Sequence, residues 1–401
     1  MKKRYSLPSY LAGAVAARAG DEMSGPALML AGFALAGSAT DASTLLAGIT
    51  ISAAVGGPVL GVLLDRAPRP GRLLGGALVI YAAGLGTILV GLSRLPFTVT
   101  VLIAVVTGLL GPALSGGWTS QLPRVVHGDR LLRANAFDSM TFIVASLAGP
   151  ALAGGTAEIL GAPTAVVVSA TLITLALPAA WMLPTRPGRA RGGAQTTPLI
   201  SDLAAGMRII VGKPALARAT LTSVIACIAQ GMLTACVPLL GERALGGAGR
   251  GAMLLSCTAV SALVANAVLA RFPRSVAPDT IIWASALVQA VALALATWSQ
   301  PVVLIVAAAI VGIGEGPQLA ALFAIRHREA PERLRGQIFT TGASLKITGF
   351  ALGAAIAGPI AVWSLPGTLA LAASMAALAA LAFFTIPSTT ADSPKRSLNL
   401  R

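Results

Sequence analysis

The sequence is poor in the residue types on which soluble catalysts depend. Of 401 residues only 4% are aromatic, two are histidine, three are cysteine and 14 are acidic. Cys227, Cys236 and Cys257 lie inside apolar runs without metal-ligand or redox spacing, and read as small core residues. His127 and His327 each fall in a basic loop with no third ligand nearby, so no metal is expected. There is no nucleophile–base constellation and no G-x-x-x-x-G-K-[ST] loop. The expectation is therefore a chain that is not an enzyme, needs no cofactor and does not use ATP.

What the chain has instead is apolar mass. Hydrophobic residues make up 56% and the mean hydropathy is +0.82, most of it Ala, Leu, Val, Ile and Gly. A soluble core cannot hide that fraction, whereas helices facing lipid require it. The net charge of +15 would suit a nucleic-acid partner, but the cations fall in short clusters between apolar spans. No basic domain exists, and no nucleic-acid binding is expected.

At about 20 residues per crossing, the apolar runs give spans at 10–37, 43–64, 73–93, 97–121, 135–156, 161–183, 217–239, 250–270, 279–298, 301–325, 337–362 and 367–387. The fold class is thus an all-α integral membrane protein with twelve transmembrane helices. Lys2, Lys3 and Arg4, the even-numbered loops and the tail hold 24 of the 29 cations. The opposite loops hold only Arg94, Arg243 and Arg250, and Arg18 and Lys346 fall within spans. By the positive-inside rule both termini are cytoplasmic. Ala14-Val15-Ala16 after a basic start resembles a signal-peptide cleavage site. The apolar stretch ends at Arg18, however, and cleavage would leave an odd number of spans.

The two halves repeat. "RAPR" at Arg66–Arg69 aligns with "RFPR" at Arg271–Arg274, and "GPAL" at Gly111–Leu114 with "GPQL" at Gly316–Leu319, both at an offset of 205. "DRLLRANAF" from Asp129 pairs with "ERLRGQIF" from Glu332, and "GPALAG" from Gly149 with "GAAIAG" from Gly353. The domains are then a six-helix bundle over 1–185, a linker over 186–216 and a second bundle with a short tail over 217–401. Within the linker, apolar residues at helical spacing from Leu199 to Val211 predict a short amphipathic helix on the cytoplasmic surface. Six spans is an even number, so the halves are parallel and related by an axis along the membrane normal. That is an architecture able to rock about a central site.

On these residues the chain resembles the major facilitator superfamily of transporters. The family pattern G-x-x-x-D-R-x-G-R-R after span two is matched by Gly61, Asp65, Arg66 and Arg69, with Pro68 in place of a glycine and Arg72 late. The resemblance implies a cytoplasmic gate in which Asp65 docks on the start of span eleven, near Gln337, with Arg66 and Arg69 adding contacts. The second copy has Ala270 instead of the Asp. Span five resembles the antiporter signature G-x-x-x-G-P-x-x-G-G through Ala145, Gly149, Pro150, Ala153, Gly154 and Gly155. "ARAGDEM", "LPRVVHGDRLLRANAF" and "APERLRGQIF" resemble the branch of macrolide-efflux and siderophore-export proteins.

Charge inside a bilayer is costly and usually marks a pathway or a partner. Arg18 lies three residues before Asp21 and four before Glu22, within reach of either on one helix face. Glu315 in span ten and Lys346 in span eleven form a second candidate pair. Asp21, Glu315 and Glu22 are the proton-coupling candidates, and Arg18, Lys346, Gln230 and Gln318 the cavity candidates. Asp138, a few residues into span five, reads as a gate or cap residue. The expected function is export of a small amphipathic organic molecule, neutral or weakly basic, across the plasma membrane in exchange for protons. The expected partners are that solute, protons and the lipid bilayer, with the chain a monomer. An importer or facilitator of the same fold is the alternative, ahead of a non-transporting sensor or scaffold.

Reporter fusions after Arg191 and Pro278 are expected to report the cytoplasm, and those after Ala39 and Gly247 the opposite side. A cytoplasmic signal at Gly247 would overturn both the span count and the repeat alignment.

Overall fold

In a computed structural model the described residues are 6–36, 39–185 and 199–387. Residues 186–198, the Pro/Gly/Arg-rich part of the linker, lie outside them. In a lipid environment a chain must satisfy its own backbone N–H and C=O groups, and a helix does so within one segment. Twelve long helices result: α1 (Leu7–Ala36), α2 (Ala39–Arg66), α3 (Pro70–Arg94), α4 (Phe97–Gly108), α5 (Arg130–Leu160), α6 (Ala162–Leu175), α7 (Pro214–Ala244), α8 (Ala252–Arg271), α9 (Pro278–Ala296), α10 (Pro301–Glu329), α11 (Arg335–Trp363) and α12 (Leu365–Thr385). Among the described residues eleven spans are long and apolar enough to cross a membrane, the fourth running on past α4 to Gly117 and the sixth past α6 to Trp181. The exception is α1, where Arg18, Asp21 and Glu22 crowd the middle of a 30-residue helix.

Several helices run past the apolar windows at the end that carries the Lys/Arg-rich loops, called the basic end below. Thus α5 begins at Arg130, α10 continues to Glu329 and α11 begins at Arg335. A hydropathy window stops at the first polar residues, but the helix continues wherever protein covers them. Two assignments change in consequence. Asp138 lies two turns inside α5, and Arg326 and His327, read as loop residues, belong to α10 and are buried.

Packing follows the repeat. The largest apolar cluster draws only on residues from Tyr10 to Leu183, and the next only on residues from Ile210 to Phe383. Large apolar side chains such as Ile51, Val55, Ile80, Val302, Val306 and Ile313 remain exposed, as a lipid-facing surface requires. Exposed Trp181, Trp298 and Trp363 sit at helix ends, where amphipathic rings meet the membrane interface. Gly149 of α5 lies on the Glu22–Met23 backbone of α1, and its repeat mate Gly353 of α11 lies on the Ile228 backbone of α7. A Cβ at either position would overlap the facing helix. The other repeat match diverges in backbone. At Gly111-Pro112 the fourth span leaves α-geometry and passes into a π-helical turn over Ala113–Gly117, whereas α10 runs unbroken through Gly316-Pro317.

The amphipathic segment of the linker is a helix over Leu199–Gly212. Its Ile210 joins the cluster of the second half, and its Gly206 backs onto the Gln337 side chain. It is therefore tucked under the basic end rather than spread on a surface.

Candidate functional site

The two halves meet at the basic end through a few polar contacts. Asp65 is the last acid of α2, and it accepts from the Gly336 and Gln337 backbone N–H groups, 2.8 Å to each oxygen. These are N–H groups of the first turn of α11, which have no partner within the helix. The carboxylate also faces the positive end of that helix dipole. Gly61, one turn earlier on α2, makes the approach feasible, because a Cβ there would run into the Gln337 backbone. Ser344 extends the seam by donating to the Ala53 carbonyl at 2.8 Å.

The arginines after Asp65 do not share its target. Arg66 pairs through Nε and Nη2 with Asp202 of the linker helix, at 2.9 and 2.7 Å. Gln337 completes the link by donating to the Leu203 carbonyl at 2.9 Å. Arg69 is exposed and makes no ion pair among the described residues. In the second half Ala270 occupies the place of Asp65 and packs on Ala136 at the start of α5. The neighbouring Arg274 pairs with Asp129 across the halves, but both side chains are largely exposed and such a pair contributes little.

Arg18 corrects the on-helix reading. It bonds neither Asp21 nor Glu22, but Asp138 on α5, with Nη1 2.9 Å from Oδ1. Nη2 donates to the Thr119 hydroxyl at 2.8 Å, Nη1 also bonds the Thr141 hydroxyl, and the guanidinium lies 3.7 Å from the centroid of Phe142. Tyr10 and Thr119 donate to the Asp138 carboxylate at 3.0 and 2.9 Å. Arg18 is 2% exposed and Asp138 fully buried, so the pair is a structural ion pair sealed within the first half.

Neither Asp21 nor Glu22 makes an ion pair among the described residues. Asp21, half-buried, accepts from the Tyr81 hydroxyl of α3 at 2.8 Å. Glu22 is exposed at the point where Gly149 closes on α1. In the second half, Glu315, Lys346 and Gln230 are each partly accessible. Gln230 accepts from Cys227 at 3.4 Å. Glu315 and Lys346 make no ion pair among the described residues. Gln318 turns the other way: it accepts from Gln289 and donates to the Ile282 carbonyl, both on α9, so it ties helices together within the second half. On α5 the close-packing face is Ala145, Gly149 and Ala153, all buried, while a Cβ at Gly154 or Gly155 would meet nothing. The small residues at 154 and 155 therefore serve no helix contact here.

Sequence reading missed a layer that crosses the halves. His327 of α10 sets Nε2 3.1 Å from the Thr119 carbonyl and Nδ1 2.8 Å from the Asn135 side-chain oxygen. A carbonyl only accepts, so Nε2 carries a proton and donates to Thr119. Beside it runs a chain of rings: Phe142 to Phe323 at 5.6 Å, Phe323 to Phe339 at 6.0 Å, and Phe339 to His327 at 4.4 Å. Only the repeat match of Phe137 with Phe339 hinted at any of this. The layer links residues about 200 apart and has no local pattern.

The profile of the Major Facilitator Superfamily matches residues 10–341. The chain is 28% identical over 371 residues to an uncharacterized MFS-type transporter, y4rN, of Sinorhizobium fredii, a match that spans 86% of this chain and 87% of the relative. Among solved structures it is similar to a bacterial homologue of the iron transporter ferroportin in an outward-facing state. That similarity has a TM-score of 0.76 at 15% identity and covers 94% of this chain and 98% of the other. It is also similar to the human organic anion transporter MFSD10, with a TM-score of 0.74 at 15% identity over 96% and 100% of the two chains.

Asp138→Asn should leave Arg18 charged, buried and unpaired, and lower stability by about 3–5 kcal/mol. Thermal unfolding of the detergent-purified protein measures this, and adding Arg18→Met should restore much of the loss. Equal stability of Asp138→Asn and the unmutated chain would show that the pair is not sealed.

Proposed function

Because the chain belongs to the Major Facilitator Superfamily, we propose that it is a secondary active transporter of the bacterial plasma membrane. On this reading it exports a small amphipathic organic molecule by alternating access, in exchange for protons. The observation that carries the coupling is the commitment of Arg18 to Asp138. It leaves two carboxylates, Asp21 and Glu22, in the middle of a membrane helix with no ion pair among the described residues. A carboxylate in that position can take a proton from one side and release it to the other as access alternates. Asp21 ranks first because Tyr81 positions it, and Glu315 second because Lys346 stops short of pairing with it.

Direction rests on the closed end. With the Lys/Arg-rich loops assigned to the cytoplasm, the contacts of Asp65, His327 and Arg274 close the cytoplasmic side. Export then requires the Asp65 cap to break so that solute can enter from the cytoplasm. The packing of Gly149 against α1, at a position the antiporter signature shares, agrees with this. The resemblance to the macrolide and siderophore exporters points the same way.

Two measurements test the reading. Asp65→Asn removes a charge-assisted cap that contributes about 1.5–3 kcal/mol per hydrogen bond. It should shift the population toward the cytoplasm-open state, seen as faster thiol labelling of cysteines placed at the start of α5 and α11. Unchanged labelling would reduce the loop to a topology signal. In proteoliposomes with an imposed pH gradient, Asp21→Asn should abolish proton-driven efflux while downhill exchange persists. Full pH-driven efflux in Asp21→Asn, Glu22→Gln and Glu315→Gln alike would leave a facilitator as the better reading.

A further inference from the structure

The two halves each bury an arginine at the level of the cross-half layer, but only one has a counter-ion. Arg18 has Asp138. Arg326 is equally buried, at 2% exposure, and makes no ion pair among the described residues. Its Nε and Nη2 atoms have no hydrogen-bond partner. A guanidinium does not give up its proton, and an isolated buried cation is strongly unfavourable. Something negative is needed there.

The surroundings describe what fits. Nε and Nη2 lie side by side along one edge of the guanidinium, and their parallel N–H groups match the two oxygens of a carboxylate. The guanidinium lies against α11 through Nη2, Cζ and Nη1, where Gly342 leaves the room: a Cβ there would run into it. The Phe339 ring lies 5.8 Å away. The flanking helices α7 and α11 each carry a buried hydroxyl without a partner, Thr222 and Thr341. Arg326 shares the inner face of α10 with Glu315, three turns away, opposite the lipid-exposed Ile313 and Val306.

We infer that the Nε/Nη2 edge of Arg326 is a binding site for the carboxylate of the transported molecule, so that the solute is an organic acid. The inference rests on the transport reading and names its substrate class. It replaces the neutral or weakly basic solute expected when Arg326 was counted as a loop cation. The charges divide accordingly: uncompensated acids, Asp21 and Glu22, serve the proton in the first half, and an uncompensated arginine serves the anion in the second. Arg326 stands three residues from the basic end of α10, behind the seal made by Asp65 and His327. An anion therefore reaches it from the cytoplasmic side once that seal opens.

The test uses benzoate against its neutral isostere benzamide on the purified full-length chain. Benzoate should raise the unfolding temperature in a saturable way and benzamide should not. Arg326→Gln should abolish the effect, and Arg326→Lys should weaken the affinity roughly tenfold by losing the two-pronged geometry. If Arg326→Gln does not fold, the unmutated chain still answers: benzoate, but not benzamide, should protect Arg326 from phenylglyoxal, read by mass spectrometry of its peptide. Equal effects of the two probes, or undiminished benzoate binding in Arg326→Gln, would overturn the site. Stabilisation by chloride or nitrate alone would overturn it too, because it marks a resident inorganic ion. The binding assay needs no transport. Benzoate bound through Arg326 in a chain that moves no solute would sink the transport reading and leave the site. Proton-driven exchange unaffected by Arg326→Gln would do the reverse.

Discussion

Asp65 can reach the first turn of α11 only because Gly61 carries no side chain one turn before it. The cap satisfies two backbone N–H groups that the helix cannot bond itself, and it does so with a full negative charge. Everything else at the basic end is arranged around that contact. Gln337, whose N–H is capped, uses its side chain to hold the linker helix, and that helix holds Arg66. Breaking the cap therefore loosens three elements together, which suits a gate better than a set of independent surface contacts would.

The repeat is faithful in packing and unfaithful in charge. Gly149 and Gly353 bring equivalent helix pairs together in the two halves. Asp65 has only Ala270 opposite it, and the pair of Arg18 and Asp138 has no counterpart around Arg326. Equal scaffolds with unequal charges give the two halves different work on one rocking frame. Among the described residues Asp21 and Glu22 make no ion pair in the first half, and Arg326, Glu315 and Lys346 make none in the second.

The layer between the halves is mostly aromatic, with one histidine bonded through both ring nitrogens. Rings that slide against one another seal a pathway without committing strong bonds. The imidazole adds direction through the Thr119 carbonyl and Asn135. Thr119 also touches Arg18 and Asp138 through its hydroxyl, so the seal and the buried ion pair share a residue.

The sequence by itself determined the membrane-spanning class, the distribution of cations between the two ends, the repeat and the place of Asp65. Each depends on composition, on spacing along one chain or on a short motif. It also carried the linker helix, whose apolar period is local. The partner of Arg18 was decided only by tertiary structure: Asp21 and Glu22 are within reach along α1, but the rotation of α1 against α5 turns the guanidinium to a residue 120 positions away. The burial of Arg326 and His327 was hidden for a related reason. Hydropathy ends a span where polarity begins, whereas the helix ends where its neighbours stop covering it. Gly154 and Gly155 show the converse, since a motif records small residues but only the facing helix decides which of them must be small.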